Sequence, residues 1–194
     1  CGVPGLGILA VPLMAHVFPA RESVGMLLPV LVVADLFAVA EYRRDVDWTP
    51  LARMASWVVV GVVAAAIFLQ ATAGDADAAV AAQTKDWFRP FIGGLVLAIL
   101  VLHVRAKLRA TEDSDREPGK LTGPITGALA GWASTLANAA GPLMSMYLAT
   151  LRMEKKTFVG TKAWFFLVLN IGKVPVLALV GMFKITGLGF ALCL

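Results

Sequence analysis

Pro142-Leu143-Met144, Val159-Gly160 and Asn170 repeat, in the same order, Pro12-Leu13-Met14, Val24-Gly25 and Asp35. Asp35 follows Gly25 by ten residues, as Asn170 follows Gly160. All of them lie in apolar stretches. One shared string means little, but three in one order, with polar residues at matched depths, predict a duplicated membrane unit. Many transporters are built from such repeats, with interrupted helices meeting at a substrate site near the bilayer midplane.

Composition agrees. Of 194 residues, 59% are hydrophobic and 15% charged, and mean hydropathy is +0.79. A soluble domain carries about 25% charged residues. Here the charges fall in short bands between stretches approaching or exceeding the roughly 20 apolar residues that cross a bilayer. The expected fold class is therefore all-α: a polytopic helical membrane protein in two related halves with interrupted helices. Residues 1–104 form the first transmembrane repeat, 105–121 a polar linker and 122–194 a second, incomplete repeat. Spans are expected at 2–18, 24–40, 54–73, 91–104, 125–150 and 158–182. Cys1 in place of an initiator Met, and apolar sequence running to Leu194, predict a chain truncated at both ends.

The net charge of +4 and pI near 9.3 raise the question of nucleic acid. The basic residues sit mainly in loops, the pattern of a positive cytoplasmic side, and no basic–aromatic module accompanies them. No nucleic-acid partner is expected. Strict alternation of the spans puts Arg43, Arg44, Arg53, Arg105, Lys107, Arg109, Arg116 and Lys120 on one side. Arg21, Lys85, Arg89, Arg152, Lys155 and Lys156 fall on the other. The richer side, with the linker, is expected in the cytoplasm. Cys1 and Cys193 stand at opposite ends without metal-ligand spacing and read as packing residues.

Gly5, Gly7 and Pro12 in the first half, and Asn138, Gly141 and Pro142 in the second, interrupt apolar helices at corresponding places. Glycine and proline also serve plain helix packing, but a matched pair of breaks points to a substrate site. Helix N-termini exposed at such breaks suit an anion. Lys162, Asn170 and Lys173, spaced by eight and eleven residues, fall roughly on one face of a helix. A charge at that depth costs at least about 2.5–3.5 kcal/mol on insertion scales, so it faces the protein interior or water. Lys162, nearer the start of its span, could instead snorkel to the surface. Two ammonium groups and an amide on one wall fit a small oxyanion. Asp35 is the matching acid, either balancing a lysine such as Lys173 or carrying a coupling proton. Thr161, Ser134 and Thr135 could donate to ligand, although such hydroxyls more often bond their own helix. His16 reads as structural. No Ser/His/Asp set, metal motif or phosphate loop is visible, so no enzyme, resident metal, cofactor or ATP-driven pump is expected.

At these residues the chain resembles the TauE/SafE family of membrane permeases, the sulfite exporter group. The resemblance runs over nearly the whole chain. It is most specific in residues 131–138, Gly141-Pro142-Leu143 and Phe158-Val159-Gly160-Thr161-Lys162-Ala163, followed by Asn170 and Lys173. The family's Gly-Gly-Gly run stands here as Gly5-Leu6-Gly7 and Ala139-Ala140-Gly141, and Met26-Leu27 replaces the hydroxyl residue expected after Gly25. The resemblance implies a bacterial inner-membrane, multi-pass secondary transporter of sulfite, sulfonate or thiosulfate. Its expected partners are that anion and the lipid bilayer, and a homo-oligomer is compatible with it. The rivals are an anion channel, an intramembrane enzyme and a non-transporting membrane subunit.

Overall fold

A computed structural model of the chain describes residues 13–14, 20–71, 88–109, 119 and 121–179. Six helices follow one another among them: α1 (Ala20–Tyr42), α2 (Trp48–Ala71), α3 (Phe88–Arg109), α4 (Thr122–Ala137), α5 (Ala140–Thr150) and α6 (Lys155–Leu179). The described residues contain no strand. α1 from Ser23, α2 and α6 are each long and apolar enough to cross a membrane. Gly5, Gly7 and Pro12, together with His16, Cys1 and Cys193, lie outside the described residues.

The helices outrun their expected limits where hydrophilic residues favour helix. Lysine, arginine and alanine are good helix formers, so α3 continues through Arg109 into the stretch expected as linker. α2 begins at Trp48 because Asp47 Oδ1 accepts the Thr49 amide at 2.9 Å, capping its first turn.

The tightest packing joins α2 to α4. Gly123, Gly127 and Gly131 recur every four residues along α4, and Gly127 and Gly131 meet α2. A Cβ on Gly127 would stand 3.0 Å from the Met54 carbonyl oxygen, and one on Gly131 would collide with the Val58 carbonyl. From α2, a Cβ on Gly61 would collide with the Ala128 carbonyl. Backbones approach this closely only where side chains are missing, the small-residue packing of membrane helices. Contacts advance together along both chains, so the two helices run parallel. The opposite face of α2 exposes Val59, Val60, Val63 and Ile67, apolar side chains suited to lipid.

α1 and α6 pair in opposite directions. Gly160, near the start of α6, packs on the Tyr42 and Asp45 carbonyls at the end of α1. Asp35 and Asn170 meet midway, and Val24 shares a buried cluster with Leu177. The offset of 135 residues between Asp35 and Asn170 is also that between Gly25 and Gly160.

One expectation is corrected. Residues 125–150 do not make a crossing; they fold back as a hairpin. Asn138 ends α4 with φ 50° and ψ 32°, the left-handed region, and α5 starts two residues later. Lys173 of α6 bonds the turn, whereas Lys162, eleven residues earlier, bonds Ser145 of α5. α5 therefore descends beside α6 while α4 ascends. Gly123, at the start of α4, accordingly faces Tyr147 near the end of α5. At about 1.5 Å per residue α4 is about 24 Å long and α5 about 17 Å, both short of a roughly 30 Å hydrocarbon core. Irregular backbone at membrane depth is tolerated because it is buried in protein. Ala139 and Ala140 are fully buried at the turn.

The hairpin moves Arg152, Lys155 and Lys156 to the end that already holds Arg43, Arg44, Arg53 and Arg105. The charge asymmetry becomes steeper than alternation gave. In a background with Cys1 and Cys193 changed to Ser, Arg43→Cys and Lys156→Cys should react with a membrane-impermeant maleimide from the same side. Labelling from opposite sides would restore the crossing.

Candidate functional site

Among the charged side chains described on the helices, Asp35 on α1 and Lys162 and Lys173 on α6 face inward; Arg53 and Arg105 are exposed. Lys173 is fully buried. Its Nζ donates to Ser134 Oγ at 2.8 Å, to the Ser134 carbonyl at 3.3 Å and to Asn138 Oδ1 at 2.7 Å. An ammonium has three N–H donors, and all three are taken by the end of α4 and its turn.

Asn138 suits that turn in three ways. Asparagine tolerates the left-handed backbone better than most residues. Its amide oxygen accepts from Lys173, and its Nδ2 donates to the Val24 carbonyl of α1 at 3.3 Å. Its backbone N–H and that of Ala139 return to the Ser134 and Ala133 carbonyls, at 2.9 and 3.2 Å, closing α4. The turn is thus tied to both α6 and α1 through the two ends of the Asn138 amide.

Asn170 is buried one turn before Lys173, and its Nδ2 donates to Asp35 Oδ2 at 2.6 Å. Asp35 is half-buried. The charges of Asp35 and Lys173 act on one another, yet the ammonium contacts Ser134 and Asn138 and the carboxylate contacts Asn170. Charge balance between them is therefore exerted across the amide rather than through a direct ion pair.

Lys162 lies about three turns nearer the basic end of α6 than Lys173. Its Nζ donates to Ser145 Oγ at 2.9 Å, and Ser145 in turn donates to the Gly141 carbonyl at 2.8 Å. Two of its three N–H donors meet no acceptor among the described residues. Its Nζ also stands 6.0 Å from the Phe166 ring centre. Gly141, one turn before Ser145 on the same face of α5, has open space where a side chain would be. Pro142 is buried in the first turn of α5, where its missing N–H costs no helix bond.

The structure thus brings together Asn138, Gly141, Pro142, Lys162, Asn170, Lys173 and Asp35 around the hairpin. Thr161 is separate: it is fully buried, and its Oγ1 accepts the Asp47 amide at 2.9 Å, docking the α1–α2 turn beside Gly160. Thr135 follows the ordinary habit of its type, bonding the Gly131 carbonyl one turn back. Ser145 was not singled out from sequence, although its place three residues after Pro142 in Pro-Leu-Met-Ser put it on the first full turn of an interrupted helix.

Long apolar helices, a folded-back hairpin and polar groups gathered at its tip define a multi-pass helical membrane protein with a polar interior. The chain belongs to the sulfite exporter TauE/SafE family, whose family model matches residues 2–194. No curated protein and no solved structure matches it at a significant level.

Proposed function

We propose that the protein is a secondary transporter, in the bacterial inner membrane, of a small sulfur-containing oxyanion of the sulfite, sulfonate or thiosulfate class. Membership of the TauE/SafE family supports the class of activity. The observation that carries the site is Lys162, an inward-facing ammonium with two free donors among the described residues, beside Ser145 and the open face of Gly141. The anion sits there, against the first turn of α5, where helix N–H groups and an ammonium both favour negative charge. Asn170 and Lys173 line the same helix face more deeply, Asn138 and Pro142 shape the tip, and Asp35 supplies the coupling or balancing charge. Thr161 supports the site from behind by holding the α1–α2 turn.

Lys162→Gln preserves a hydrogen bond to Ser145 and removes the charge. A charge-assisted hydrogen bond contributes about 1.5–3 kcal/mol, so half-saturation for sulfite or thiosulfate in proteoliposomes should rise roughly 10- to 100-fold. Saturable flux with an unchanged half-saturation constant would remove Lys162 from the site. Flux that never saturates and ignores a pH gradient would make the protein a channel.

A further inference from the structure

Among the charged side chains that the structure describes on these helices, three point inward, two ammonium groups and one carboxylate. Together they carry one net positive charge when the site is empty. A monoanion brings that sum to zero. A dianion leaves one uncompensated negative charge in a region where unpaired charge is costly. The geometry offers one group that can remove it. Asp35 is half-buried, and Oδ2 is held by the Asn170 amide, while Oδ1 meets no donor among the described residues. Proton uptake at Oδ1 leaves the Asn170 bond in place, because a protonated carboxyl still accepts at its other oxygen.

We propose that Asp35 and a dianionic substrate are alternative counter-charges for Lys173, so that a dianion binds together with one proton taken up on Asp35, whereas a monoanion binds without one. The inference rests on the transporter reading above and adds the substrate charge and the coupling ion. In the empty protein the carboxylate balances Lys173 through Asn170. In the loaded protein the anion lies at Lys162, Lys173 keeps its bonds to Ser134 and Asn138, and Asp35 is neutral. The second charge of the dianion thus replaces the one Asp35 gave up. No covalent bond forms; the proton comes from water and returns to it on release.

Among the described residues, the helices packed against α1 bring few other titratable groups. α4 carries no charged residue, and α6 contributes Lys162 and Lys173 to the interior. α3 contributes His103, whose Nδ1 is buried and without a partner among the described residues. Lys173 is the charged group that acts on Asp35.

The test is calorimetric titration of the purified protein in buffers of different ionisation heat, which counts protons taken up per anion bound. Thiosulfate is the dianion and methanesulfonate the monoanion, and neither changes its charge near neutral pH. About one proton per thiosulfate and near zero per methanesulfonate are expected. Thiosulfate affinity should fall about tenfold per pH unit wherever Asp35 is ionised in the empty protein. In Asp35→Asn, where the Asn170 bond can persist, thiosulfate should bind without proton uptake and with pH-independent affinity. His103→Gln should leave the uptake intact. Thiosulfate binding without a proton in the unaltered protein, or uptake surviving in Asp35→Asn, overturns the inference and leaves the transporter reading standing. If folded protein binds neither anion, the site reading falls and this inference falls with it.

Discussion

Lys173→Met should nearly abolish transport while leaving the protein inserted and folded. The ammonium is enclosed entirely and spends its three donors on Ser134 and Asn138. Methionine fills a similar volume and removes a charge that is costly to bury, which offsets the loss of a counter-charge for half-buried Asp35, so the protein should remain folded. What is lost is the tie between α6 and the hairpin tip. Two charge-assisted bonds at about 1.5 kcal/mol each amount to about 3 kcal/mol of positioning, a factor of roughly 100 in flux. Lys173→Arg should rescue poorly, because a planar guanidinium does not fit three acceptors arranged around a point charge. Thermal stability and flux should be measured on the same preparation. Full flux with an unchanged melting temperature would show that the tip needs no anchor. A collapse of stability together with flux would make Lys173 a general packing element.

Much of the site could be read before the structure because charge in a bilayer is conspicuous. Lys162, Asn170 and Lys173 stood out through their cost at membrane depth, and the helical period put them on one face. The break at Asn138 was equally legible, since Asn, Gly and Pro within five residues cannot continue a helix undisturbed. What the sequence left open was direction. A break permits the chain to continue across or to turn back, and apolar composition is the same either way. The choice is made by tertiary contacts, Lys173 to the turn and Lys162 to Ser145, between residues 35 and 17 positions apart. The division of labour between the lysines was hidden for the same reason. One is saturated by acceptors and one is not, and acceptors are a property of neighbours rather than of spacing. Thr161 shows the converse: a candidate donor to ligand beside Lys162, it instead holds the α1–α2 turn together with Gly160.

Gly131→Leu should prevent accumulation of folded protein. The added Cβ would collide with the Val58 carbonyl, and the rest of the side chain would have to enter a contact already occupied by backbone. A flexible neighbour could rotate away, but a carbonyl in the middle of α2 cannot without breaking the helix. Overpacking a tight core costs about 1–3 kcal/mol when side chains can yield. Here two helices must separate, so the penalty should exceed that range. Gly127→Leu meets the same wall at Met54 and Trp57 and should behave alike. Gly93→Leu, on α3 with open space around it, should be accepted. Detergent-stable yield and melting temperature for the three variants decide the matter. The site depends on this contact: α4 ends at the turn that Lys173 and Asn138 organise, and α2 is the wall against which α4 is fixed. If Gly131→Leu yields normal, stable protein, the parallel α2–α4 seam does not hold the hairpin, and the placement of its tip against α6 loses its support.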